Sequence, residues 1–152
     1  MRVEDVMSQP VVTIEVADSC LEAVGRMHEA RVRHLPVVDR EGLLVGVVTD
    51  RDLRHHLFSP AVYKELGTVP TDSLLRAAPV TAIMSTSVVA VEPGASLMDA
   101  ARLMLEENVG SLPVVHAGRV VGILTETDLL RHICRIDAGR QAACADIIVS
   151  YP

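Results

Sequence analysis

Apolar residues arrive along this chain in the same order twice. A short apolar turn, Val3 to Met7 and again Val80 to Met84, precedes a β-branched run, Val11-Val12-Thr13-Ile14 and Val88-Val89-Ala90-Val91. Both runs have the composition of strands. Each is followed by a hydroxyl three residues before an acid, Ser19-Cys20-Leu21-Glu22 and Ser96-Leu97-Met98-Asp99, a pairing that satisfies the orphan amides of a helix start. Behind it Leu21, Val24 and Met27 with Ala23 and Ala30, and in the second copy Leu97, Ala100, Ala101, Met104 and Leu105, recur at three and four residues, so one helix face should be buried. Two apolar runs then flank a tight polar turn, Arg40-Glu41-Gly42 or Ala117-Gly118, where glycine supplies the positive φ of a hairpin. Val37-Val38 with Leu43-Leu44-Val45, and Val114-Val115 with Val120-Val121, do not alternate, so both faces of these strands should be covered. A second helix is expected after Thr49 and after Thr125.

With Met7 to Leu57 aligned on Met84 to Ile133 and one gap near Arg40, 21 of 50 pairs are identical. Each copy reads as a β-α-β-β-α unit too small to cover its own sheet, and two copies are too few for a solenoid. The expected fold is α+β, two pseudo-symmetric units packed sheet to sheet. Residues 1–58 form the first unit and 80–135 the second. Between them, 59–79 is a linker punctuated by Pro60, Pro70, Pro79 and Gly67, with a short helix at Ser73 to Ala77, and 136–152 is a tail without pattern.

Composition narrows the partners. The chain has 152 residues, a net charge of -6, no Trp, one Phe and two Tyr, so it offers neither a basic surface nor an aromatic platform for nucleic acid. No apolar run approaches the roughly 18 residues of a membrane span, and Met1-Arg2-Val3-Glu4-Asp5 turns acidic where a secretory signal would turn apolar. A cytoplasmic location is expected. Cys20, Cys134 and Cys144 are odd in number and widely spaced, which favours reduced thiols over a disulfide framework. His55, His56, His132 and Cys134 fall at equivalent helix ends without zinc spacing, and no nucleophile elbow, Walker loop or dinucleotide glycine motif occurs. No metal, no required cofactor and no catalysis are expected.

The most specific motif is Gly-apolar-apolar-Thr-x-x-Asp, complete in both copies as Gly46, Thr49, Asp52 and as Gly122, Thr125, Asp128. Thr and Asp at that spacing are also simple helix caps. A glycine inside an apolar strand costs stability unless packing or a ligand needs the space. On this motif, and on the blocks Leu35-Pro36-Val37-Val38 and Leu112-Pro113-Val114-Val115, each copy resembles a cystathionine-β-synthase (CBS) domain, and the pair resembles a Bateman module over nearly all of residues 1 to 135. In that family the motif segment holds the ribose of an adenosine ligand, which implies ribose contacts at Gly46, Thr49, Asp52, Gly122, Thr125 and Asp128. The chemistry agrees: a carboxylate accepts from two vicinal hydroxyls, a threonine at a helix N-terminus meets a phosphate, and glycine leaves room.

The resemblance also implies basic residues against the ligand phosphates just before the Leu-Pro of the first copy. Arg31, Arg33 and His34 stand there, with Arg51 inside the first ribose motif; the second copy has Asn108, Gly110, Ser111 and Thr127 instead. The two sites should therefore differ in affinity or in phosphate number. A solvated helix end, where cations are favoured, is the competing account of these arginines. Backbone groups of Gln9-Pro10-Val11 or Thr86-Ser87-Val88 would meet the base.

Together these features imply a stand-alone regulatory module that senses an adenosyl small molecule, AMP, ADP or ATP, and signals to an unidentified protein partner or through its own assembly. A homodimer is expected, in which the second-helix residues Leu53, Leu57, Leu129 and Ile133 are buried. Two alternatives stand beside it: a structural dimerisation module whose clefts bind nothing, and a binder of S-adenosylmethionine, whose sulfonium would gain from acids such as Asp50 or Glu126.

Overall fold

The computed structural model describes residues 1–57 and 71–138. Most of the expected linker, Phe58, Cys144 and residues 139–152 of the expected tail lie outside the described residues. Each repeat opens on a 3-10 turn, Val3–Asp5 and Val80–Ala82, at the two expected apolar turns. The β-branched runs that follow carry less strand than their composition implied. β1 is only Ile14–Glu15, paired in parallel with Val37 and Val38, and in the second copy Val91 makes a lone parallel bridge to Val114. β-branching reports a fit to a half-buried surface rather than a backbone preference, and only the last residues of each run lie beside a strand.

α1 (Cys20–Ala30) begins on Ser19. The Glu22 amide donates to Ser19 Oγ at 3.3 Å and the Ser19 amide to the Glu22 carboxylate at 2.7 Å. Ala23 and Met27 enter the core, whereas Val24 and Ala30 face outward, so the buried stripe is narrower than the apolar spacing suggested. β2 (His34–Val38) and β3 (Leu44–Thr49) form the first hairpin, with Gly42 at φ 80°, and α2 (Asp50–Leu57) follows. α3 spans Thr71–Ala77, starting before the expected Ser73, and sends Leu75 into the first core. The second copy repeats the order as α4 (Leu97–Glu107), β4 (Ser111–His116), β5 (Arg119–Thr125) and α5 (Glu126–Ala138). Ala117 and Gly118, both at positive φ, make the two-residue turn whose twist suits antiparallel strands. α5 runs on into the stretch expected to be tail.

Each unit is completed by the other unit's opening turn. Val80 is fully buried in the first core beside Ile14, Leu35 and Val48, and Val3 is fully buried in the second beside Leu112, Val114 and Leu124. Burying each valine contributes roughly 1.5–3 kcal/mol. Backbone hydrogen bonds fasten the exchange: Val80 N–H donates to Asp18 O at 3.0 Å and Cys20 N–H to Ala78 O at 2.9 Å, while Val3 N–H donates to Ala95 O at 3.0 Å and Leu97 N–H to Met1 O at 3.2 Å. Beyond the turns, Ser85 pairs with Val47 and Ser8 with Ile123 through mutual backbone bonds.

The two strand glycines belong to this exchange. A Cβ at Gly46 would lie 2.6 Å from Met84 Sδ, and one at Gly122 would lie 2.5 Å from Met7 Sδ. Each methionine crosses to the other unit and lies over its glycine, which supplies the packing reason that a glycine in an apolar strand requires.

The second helices bury more than expected. Leu53 is in the first core with Leu57 packed against it, and Leu129 packs against the second core, so only Ile133 of the four residues expected at a dimer face is open to solvent. Their amphipathic stripes already close the two units. Leu130 and Ile136 share the exposed side of α5 with Ile133. Among the described residues no helix is long and apolar enough to cross a membrane.

Candidate functional site

Two clefts lie where the units meet, walled in part by equivalent positions of the repeats. The first, of about 560 Å³, is lined by Thr49 to Asp52 and Arg54 from the end of β3 and the start of α2, by Ser85 and Ser87 to Val89 from the segment before α4, and by Met104, Leu105 and Asn108 to Ser111 from the end of α4 and the start of β4. The second, of about 120 Å³, is lined by Thr125 to Asp128 and Arg131, by Ser8 and by Arg31 to His34. Arg33, His34, Gly110 and Glu126 line both.

Both Thr-x-x-Asp motifs cap their helices. The Asp52 amide donates to Thr49 Oγ1 at 3.1 Å, and Asp52 Oδ2 accepts from the Thr49 amide at 2.8 Å and from its hydroxyl at 2.9 Å. Asp128 repeats the pattern with Thr125 at 3.2, 2.9 and 2.7 Å. Such a box adds about 0.5–2 kcal/mol to a helix start. The carboxylates differ at their other oxygen. Asp128 is buried, and its Oδ1 accepts from the Ser8 hydroxyl at 2.8 Å, with Arg131 at 3.9 Å. Among the described residues, Asp52 Oδ1 accepts no hydrogen bond, and the residue lines the first cleft.

Charge in the first cleft is mixed. Arg33, Arg51 and Arg54 supply cations, Arg54 being paired with Asp50 at 3.1 Å, and Glu126 and Asp52 add carboxylates. His34 is half-buried at the centre and hydrogen bonded through Nδ1 to Ser111 Oγ at 3.1 Å. Desolvation pushes its imidazole below the ordinary value and Arg33 pushes the same way, against Asp50, Glu126 and Asp52. The Cys20 thiol lies in the first core, where burial raises its pKa and keeps it protonated and unreactive. Among the described residues no group of three or more His, Cys, Asp and Glu is placed to hold a metal.

The structure brings Thr49, Asp52, Arg51, Arg33, His34, Ser87 and Val88 together in the first cleft, and Thr125, Asp128, Arg31, Arg33 and His34 in the second. Gly46 and Gly122 lie under methionines rather than on a cleft wall, and Pro10 and Val11 line neither cleft. Leu105, expected on the buried face of α4, is 82% exposed and forms an apolar wall of the first cleft with Met104, Val47 and Val89. One signal for it was present: Leu105 aligns with His28, an apolar residue facing a polar one inside an otherwise repeated helix. The first cleft thus combines guanidinium donors, an accepting carboxylate and apolar walls, a set suited to a small anion with hydroxyl groups and a flat apolar part.

The CBS domain family matches the chain twice, over residues 3–59 and 80–135. Protein MJ1404 of Methanocaldococcus jannaschii is 34% identical over 91% of this chain, which spans only 33% of that relative's length. A CBS domain-containing protein of Dictyostelium discoideum is 35% identical over 88% of this chain and 92% of its own. Among solved structures, CBSX2 in complex with AMP is 33% identical, with a TM-score of 0.69 over 90% of this chain and 98% of that one. The CBS domain pair of protein MJ0100, in complex with 5′-methylthioadenosine and S-adenosyl-L-methionine, is 27% identical, with a TM-score of 0.70 over 93% and 98%. Matched in both repeats and in their paired architecture, the chain belongs to the CBS domain family and carries two such domains in tandem.

Proposed function

We propose that the chain is a regulatory module that binds an adenosine-containing ligand of the AMP, ADP or ATP class in the first cleft and passes its occupancy to a protein partner or to its own assembly, with no chemistry of its own. Asp52 carries this reading. Its carboxylate caps α2 through one oxygen, and the residue lines a cleft of about 560 Å³, within the roughly 300–1,000 Å³ typical of small-molecule sites. There it can accept from both ribose hydroxyls. Arg33 and Arg51 are placed for phosphates, and the apolar wall at Leu105, with backbone groups at Ser87 and Val88, for the base. AMP in the similar CBSX2 supports the ligand class.

In this reading residues 1–58 and 80–135 act as the two halves of one sensor, two sensors pair through the exposed side of α5, and the module works in the cytoplasm, where adenine nucleotides are held. S-adenosylmethionine is the second reading, favoured by the Glu126 carboxylate on the wall of both clefts and by the ligands of the MJ0100 pair. A thermal-shift panel of AMP, ADP, ATP, S-adenosylmethionine and NAD tests both. A ligand at 100 times its Kd adds about 2.7 kcal/mol, a rise of roughly 5–10 °C for a domain of this size. The largest rise with S-adenosylmethionine selects the second reading; no rise with any compound at millimolar concentration leaves a structural pairing module.

A further inference from the structure

We infer that Ser8 and Arg31 close the second cleft, so that the chain takes one adenosyl ligand and holds it in the first; this rests on the ligand reading above. The clefts share wall positions only in part, since Met27 and His28, the counterparts of Met104 and Leu105, line a separate opening beside Arg31 and Arg33. At the Asp128 end both carboxylate oxygens already accept from the chain, Oδ2 from Thr125 and Oδ1 from the Ser8 hydroxyl at 2.8 Å. Ser85 holds the place of Ser8 in the first cleft and lines its wall, yet among the described residues no hydrogen bond joins it to Asp52.

The opposite walls differ as sharply. Arg31 and Arg33 stand in the second cleft where the first has Asn108 and Gly110. Arg31, Val32 and Arg33 line both the space of about 120 Å³ beside Asp128 and a separate opening of about 600 Å³. Two guanidinium side chains thus divide what is a single space of about 560 Å³ in the first cleft, where an amide and a hydrogen atom hold their places. A nucleoside entering the second cleft would have to break the Ser8 bond and displace Arg31, while the first cleft asks for neither. Arg31 also offers a clean substitution: its backbone is left-handed at φ 55°, as Asn108 is at φ 54°, and asparagine adopts that region more readily than arginine. Arg31→Asn therefore installs the first cleft's own residue without backbone strain.

Calorimetric titration of the full chain with AMP reads the stoichiometry directly. One AMP per wild-type chain is expected, weakened at least tenfold by Asp52→Asn. The Ser8→Ala/Arg31→Asn variant should take two, and adding Asp52→Asn to it should leave one. Two AMP per wild-type chain, or a single AMP in a Ser8→Ala/Arg31→Asn variant that melts like wild type, overturns the closure while leaving the ligand reading intact. If that variant is unstable, Ser8→Ala and Arg31→Asn are titrated singly: a second, weaker AMP in either supports the closure, and one AMP in both overturns it. No binding of AMP, ADP, ATP or S-adenosylmethionine overturns both.

Discussion

His34 Nδ1 and Ser111 Oγ stand 3.1 Å apart, and the two residues occupy the same position of the two repeats, each immediately before Leu-Pro. One repeat thus bonds the other through its own counterpart. His34 lines both clefts, so this hydrogen bond forms a seam between the two repeats beside both.

Acid should loosen that seam. Burial lowers the His34 pKa, so the folded chain prefers neutral imidazole. As pH falls through about 6.5, the unfolded value, the unfolded chain binds more protons and stability falls, until the lower folded value is passed. The lowered Glu22 carboxylate matters only below about pH 4.3 and the raised Cys20 thiol only above about pH 8.5, outside this window. The Tm of the wild-type chain should drop between about pH 7.5 and about pH 5.5, and that of His34→Asn should drop less. Equal slopes for the two proteins would remove His34 from the account of acid sensitivity.

Alanine should not be equally tolerated at the two strand glycines. A Cβ at Gly46 meets Met84 Sδ and also the Ser85 carbonyl oxygen at 3.0 Å, part of a backbone pair with Val47, whereas at Gly122 every near atom belongs to the flexible Met7 side chain. Gly46→Ala should cost about 1–3 kcal/mol, and Gly122→Ala less. Urea denaturation of both variants checks the order, and the reverse order would mean that the Ser85 carbonyl does not limit the space at Gly46.

Phosphate contacts should separate ATP from adenosine. Arg33→Ala and Arg51→Ala each remove an exposed guanidinium from the first cleft. Each should weaken ATP by about 1 kcal/mol, the upper end for exposed ion pairs, with adenosine nearly unaffected. Equal losses for the two ligands, measured by calorimetry, would assign these arginines to the solvated helix end instead.

Pairing through α5 is testable by charge. Leu130, Ile133 and Ile136 are 62%, 60% and 54% exposed on that helix. Light scattering should find a dimer at micromolar concentration and a monomer for Ile133→Glu, since a buried carboxylate in an apolar seam is costly. A monomeric wild-type chain would contradict the pairing.

What was legible in the sequence was local. Ser19 and Glu22, Gly42, Ala117-Gly118 and Thr49-x-x-Asp52 act within a few residues of themselves, and each does in the structure what its spacing implied. The exchange of opening turns was not legible, because Val3 and Val80 show the same apolar pattern whichever core receives them. Gly46 and Gly122 left packing and ligand equally open until Met84 and Met7 were seen above them. The unequal arginines did signal unequal sites, but a repeat alignment cannot show that Arg31 narrows one cleft while Leu105 walls the other.

The central claim, an adenosyl ligand in the first cleft, is tested most directly by titrating the isotope-labelled chain with AMP and following its backbone amides. Saturable shifts should gather at residues 49–52, 85–89 and 108–111, the three segments that wall that cleft. No shift at millimolar AMP, or shifts confined to the exposed side of α5, would contradict it.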